Sequence, residues 1–176
     1  LQGRLAWEGV RRNDSMFDVK DARRFWSYAA EKGNNPAYYN ALGFALYAEG
    51  RAEDALAAWL MALEQLEAEG VSVLPAAATG TDPLGAGQMN VQIPPEEISH
   101  PEALTAYAGI ALALAQLSVN PTAGQPMDLL SKAIAIHTAI MQRHGAEFQG
   151  ENLAQNWLWT EPTIQQWEIL GKVRSQ

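Results

Sequence analysis

The sequence predicts an all-α fold: about three antiparallel helix pairs stacked in order and closed by a C-terminal capping helix. Three observations carry this. Residues 38–63, YYNALGFALYAEGRAEDALAAWLMAL, set small and apolar residues at helical spacing on both sides of a glycine break. Similar but less regular patterns stand on either side, around Trp26 and from Pro101 onward. The last segment, ENLAQNWLWTEPTIQQWEIL, again places Leu153, Trp157, Thr160, Ile164 and Trp167 at helical steps.

The composition fits one domain. With 176 residues, 48% of them hydrophobic, the chain can bury a sizeable core without a metal or a disulfide. No apolar run is read as reaching the ~20 residues that span a bilayer, so a soluble chain with no integral membrane segment is expected. The absence of cysteine excludes disulfides, thiol nucleophiles and thiolate metal sites. The chain opens on Leu1 in apparent helix, so residues are expected to precede it, any targeting signal among them, and a cytoplasmic location is the expectation. The net charge is −8, unevenly laid out. Arg4, Arg11, Arg12, Lys20, Arg23 and Arg24 supply half of the twelve basic residues. From Glu49 to Glu102 ten acidic residues face Arg51 alone, a field that repels phosphate backbones and argues against nucleic acid as a partner.

In chain order, LAWEGVRR gives a first helix through Leu5, Trp7 and Val10, ended by an NDS turn. Asp18 or Asp21 caps a second helix carrying Ala22, Trp26 and Ala29. Pro36 suits the first turn of the third, because it lacks an N–H that would be orphaned there. Tyr39, Leu42, Gly43 and Leu46 then form a stripe with a bare spot at Gly43 where a neighbour can approach closely. Gly50 ends that helix in a left-handed conformation, and Ala55, Leu56, Trp59, Ala62 and Leu63 mark the fourth. A Gly- and Pro-rich insertion follows at 70–100. Within it Val91 to Ile93 suit a short extended piece, Pro94-Pro95 stiffen the exit, and the GAG at Gly85 lacks the strand and helix a phosphate loop needs. From Pro101 almost every residue between Ala106 and Leu114 is apolar, the mark of a helix buried on several sides. In the last segment Pro162 either kinks a continuing helix or opens a new one capped by Thr160.

Tyr39, Leu42, Gly43, Leu46, Ala55, Trp59 and Ala62 fall in order on the signature W-x2-L-G-x2-Y, then A-x3-F-x2-A, of the tetratricopeptide repeat, a unit of about 34 residues. The chain therefore resembles that family, with bulky exchanges among these positions and Glu67 near the place of the usual late proline. On this resemblance 1–33 is a degenerate repeat, 36–69 a well-formed one, 70–100 an inserted loop, 101–145 a degenerate repeat and 151–172 a capping helix. Ala22, Trp26 and Ala29 match the second-helix spacing of the first repeat; Ala108, Gly109 and Leu112, then Pro126, Leu130 and Ala133, resemble the third, with extra loop residues NPTAGQP. The NWLWTE ending resembles, less specifically, the tail of some cyanobacterial members. The resemblance implies a right-handed superhelix whose first helices line a concave groove for a protein or peptide. Asn40, Phe44 and Tyr47 would face that groove, with Ala106, Ile110 and Ala113 as later counterparts, and Trp159, off the capping stripe, would be a partner contact. Neither first helix carries Lys or Arg, so no carboxylate clamp is expected.

Catalysis has little support. His137 and His144 stand seven apart, about 10 Å along one helix, too far to share an ion unaided, with Glu147 nearby. No nucleophile elbow, Walker loop or His-Glu-x-x-His run occurs, and Glu96 and Glu97 lie in a loop that would not hold them for acid or base work. The expected function is a non-catalytic scaffold without cofactor. The alternative is a structural subunit fixed in a larger complex by its Trp-rich end; a metal-dependent enzyme is the more distant one.

Overall fold

The computed structural model describes residues 1–14, 16–73, 98–119 and 128–173. Among them are eight helices and no strand: α1 Gln2–Arg11, α2 Val19–Gly33, α3 Pro36–Ala48, α4 Ala52–Ala68, α5 Pro101–Val119, α6 Leu129–His144, α7 Gly150–Leu153 and α8 Glu161–Val173. From α1 to α6 each helix packs on the next, α3 also touches α5, and α8 folds back on α6 and α5.

The helix ends follow from local chemistry. Asp18, one of the two candidate caps, accepts the Lys20 N–H before α2, and Asn35 accepts the Ala37 N–H before α3, with Pro36 in the first turn. Asn34 is left-handed between those two helices. After α3 and α4 the chain turns at Gly50 and Gly70, with φ of 77° and 83°, and the next N–H groups, of Arg51 and Val71, return to Leu46 and Leu66 carbonyls.

Trp59 is the centre of the core. Its indole is fully buried between Gly43 of α3 and Gly109 of α5, with Phe44 edge-on at 5.4 Å. A Cβ on either glycine would overlap the ring, so both helices close on α4 only because neither has a side chain there. The α1–α2 pair repeats the device, with Gly3 against Trp26. α5 is buried on nearly every side. It is long and apolar enough to cross a membrane, which corrects the expectation that no run approaches that length; 67% of its apolar window is covered by the other helices.

The last segment also departs from expectation. A single helical stripe through Trp157 and Thr160 is absent: α7 is one turn, residues 154–160 leave the helix, and α8 starts with Pro162 in its first turn. Of the two options for Pro162, the new helix holds, since residues 154–160 have already broken the backbone ladder. The interior of the insertion, 74–97 with Gly85, Val91 to Ile93 and Glu96, and the linker 120–127 with Pro126, lie outside the described residues.

Candidate functional site

Five of the six residues expected on the open face lie inside the protein. Asn40, Phe44, Ala106, Ile110 and Trp159 are all buried, as is Ala113. This corrects the expected groove, and the cause is the chain itself. Residues 157–160 run as a non-helical strap that begins in a turn, and Trp159 lies buried rather than off the surface. Its ring meets Phe44 at 5.2 Å, Trp167 at 5.8 Å and Phe148 at 6.3 Å. The Trp7 indole N–H donates to the Leu158 carbonyl at 3.2 Å and the Trp167 N–H to the Phe148 carbonyl at 3.1 Å, so the strap is hydrogen-bonded as well as packed. Asn40 is structural: its Nδ2 donates to the Glu102 carbonyl at 2.9 Å and carboxylate at 2.7 Å, joining the starts of α3 and α5. Trp157 is half-buried between Trp26, at 5.6 Å, and the Arg4 guanidinium, at 5.1 Å.

The histidines do not converge. His137 is buried with its ring 4.3 Å from that of Trp167. His144 Nε2 lies 3.0 Å from the Ile98 carbonyl and Nδ1 3.5 Å from Glu147. Among the described residues no three His, Asp or Glu side chains gather as metal ligands. His144 instead pins one end of the insertion, since Ile98 is buried. The other end is pinned by α4 and α5: the Val73 N–H donates to Glu67 and the Tyr107 hydroxyl donates to the Val73 carbonyl at 2.7 Å. Burial and the Glu67 carboxylate both raise the Tyr107 pKa.

Among the described residues a cleft of about 850 Å³ opens between α8 and the C-terminal ends of α1, α3 and α5. Tyr47, the sixth expected residue, stands in its wall beside Leu112 and Ala115. Val119 (76% exposed), Leu130, Ile169 (45%) and Val173 form an apolar rim. Burial pushes the Tyr47 phenol up to about 12. The formal charges in the lining are Arg11 and Glu161. Arg11 is already engaged by Glu8 and the Ala154 carbonyl, at 3.4 and 3.1 Å. The rest of the lining alternates apolar side chains with uncharged polar ones such as Gln116, Thr163 and Gln166. Sequence reasoning missed Ile169 and Val173. The signal was present as a second apolar stripe on α8, four residues apart and off the Ile164–Trp167 stripe, but the tryptophans drew the assignment to the other face.

No family model, no curated protein and no solved structure matches this chain.

Proposed function

We propose that this chain is a non-catalytic interaction scaffold that holds an apolar segment of another protein in the cleft along α8. The observation that carries it is the exposure of Val119, Leu130, Ile169 and Val173 around one concavity, while the large aromatic side chains nearby are spent in the core. Apolar side chains left exposed together around a hollow are costly to solvate and mark a surface that another molecule covers.

The same proposal includes a tetratricopeptide-like superhelix. In its support, α3 and α4 form a tight pair, α3 also touches α5, and Gly43 and Trp59 make the close contact that the repeat signature implies. The binding face differs from the one the resemblance implies, because the 157–160 strap fills the space against Phe44. The alternative of a subunit anchored by a Trp-rich end loses its support: Trp159 and Trp167 are spent on the core.

Replacing Ile169 and Leu130 by Glu tests this. Both side chains are exposed, so helicity measured by circular dichroism stays at the wild-type level while recovery of the partner from native extract falls at least about tenfold, near 1.4 kcal/mol. Undiminished recovery by the folded double variant overturns the proposal.

A further inference from the structure

The core face of α2 is Ala22, Trp26 and Ala30. On another face Asp21, Phe25, Tyr28 and Lys32 follow at steps of four, three and four residues, the spacing with which one helix presents a seam to a second. Both aromatic rings are open to solvent, Phe25 at 39% and Tyr28 at 66% exposure. With Gln2, Asp21, Arg24 and Glu31 they border a hollow of about 510 Å³. Lys32 reaches back over the Tyr28 ring, 6.0 Å from its centre, so it belongs to the same surface. The stripe reads acid, aromatic, aromatic, base. Its flank, Arg24 and then Glu31, reads base, acid.

We infer that this stripe joins two copies of the chain, with α2 packed antiparallel on α2 of the second copy about a two-fold axis between Phe25 and Tyr28. Under such an axis residue i meets j wherever j meets i. Phe25 then lies against Tyr28 of the second copy, Asp21 against its Lys32, and Arg24 beside its Glu31 on the flank, each contact made twice. Parallel packing sets Asp21 on Asp21 and Lys32 on Lys32, like charge on like, and is disfavoured. A charge order complementary to its own reverse is one that a second copy matches by symmetry alone.

The other charges of the first helix pair leave this match undisturbed. Arg23 turns to Glu49 at 3.1 Å, Arg4 lies over Trp157, and Arg11 binds Glu8. Arg12, Asp14, Asp18 and Lys20, two of each sign, stand around the α1–α2 turn, where antiparallel packing brings the uncharged Gly33, Asn34 and Asn35 of the second copy. Residues 1–48 carry seven basic and five acidic side chains, so the excess acid behind the net charge of −8 lies beyond them. Two copies that meet through α2 therefore join at the part of the chain without that repulsive excess. Among the described residues, no α2 side chain lines the cleft along α8, so the two surfaces are distinct. A seam between two 15-residue helices, about 22 Å long, is small for an interface, and a dissociation constant of roughly tens of micromolar is expected.

Sedimentation of the full chain from roughly 1 µM to 1 mM tests this. The expected result is a reversible monomer–dimer equilibrium. Arg24→Glu or Glu31→Arg alone raises the dissociation constant about tenfold, because symmetry makes each reversal act at two contacts. The double variant Arg24→Glu, Glu31→Arg returns it to within about twofold of the wild-type value. These changes move acid toward the start of α2 and base toward its end, which favours the helix, and circular dichroism verifies that the fold is kept. Tyr28→Ala takes an exposed ring out of the seam and also weakens the dimer about tenfold. A chain that stays monomeric up to ~1 mM overturns the inference. So does a dimer unmoved by Arg24→Glu or by Tyr28→Ala, which lies on another surface. A dimer that the single reversals weaken and the double variant does not restore overturns the antiparallel pairing.

Discussion

At Gly109 the space that a side chain would occupy is taken by the Trp59 indole, which Gly43 backs from the other side. The ring therefore has no direction in which to yield. Gly109→Ala gains up to about 1 kcal/mol of helix propensity. Against this stands an overpacking cost of about 1–3 kcal/mol, at the upper end here because the obstacle is a fully buried ring rather than a flexible side-chain tip. A net loss of about 1–2 kcal/mol is expected, read as a lower midpoint in thermal unfolding; a midpoint unchanged or raised would refute the contact. Gly43 was legible as a close-approach site from Leu42-Gly43 alone. That Gly109 serves the opposite face of the same indole was not, because the contact joins residues fifty positions apart. Phe44 and Trp159 mislead for the same reason: helical spacing assigns a side chain to a face, and only a remote segment decides whether that face stays open.

Among the elements, the junction of α4 with α5 shows how a long insertion is anchored. Glu67, Val73 and Tyr107 form a short hydrogen-bonded chain that ties the start of the insertion to both helices. Tyr107→Phe keeps the ring and leaves the buried Val73 carbonyl without that donor, a loss of about 1–2 kcal/mol by urea unfolding. Proteolytic cutting near Val73 should also quicken; wild-type stability together with wild-type cutting would refute the anchor. The third helix and its hairpin partner were readable in detail, since Pro36 and Gly50 sit where helix-end chemistry requires them. The end of the chain was not. Leu153, Trp157, Thr160 and Ile164 keep helical spacing, yet residues 154–160 leave the helix because the strap buries Leu158 and Trp159 and bonds its carbonyl to Trp7. Tertiary burial outweighed a local pattern worth little alone.

For the whole molecule, burial of phenols sets an alkaline limit. Tyr47 is raised from 10.0 to about 12, and Tyr107 is raised too. A phenol whose pKa is higher in the fold than in the unfolded chain adds stability that is fully present below pH 10. Above it the unfolded chain binds fewer protons, so stability falls as pH rises toward 12. Phenolate absorbance should therefore show a late component, coincident with loss of helicity and smaller in Tyr47→Phe; ionisation of all five tyrosines near pH 10 in a still-folded chain would refute it.

The sequence by itself determined the all-helical class, the turn at Gly50, the capped start of α2, the Pro36 start of α3 and the bare spot at Gly43, because each depends on residues a few turns apart. Only the tertiary structure decided which surface is free. The strap at 157–160 closes the face expected to bind, and α8 leaves its second apolar stripe over an open cleft. The physical reason is that spacing within a helix specifies which side chains share a face, whereas exposure depends on what a distant part of the chain lays over it.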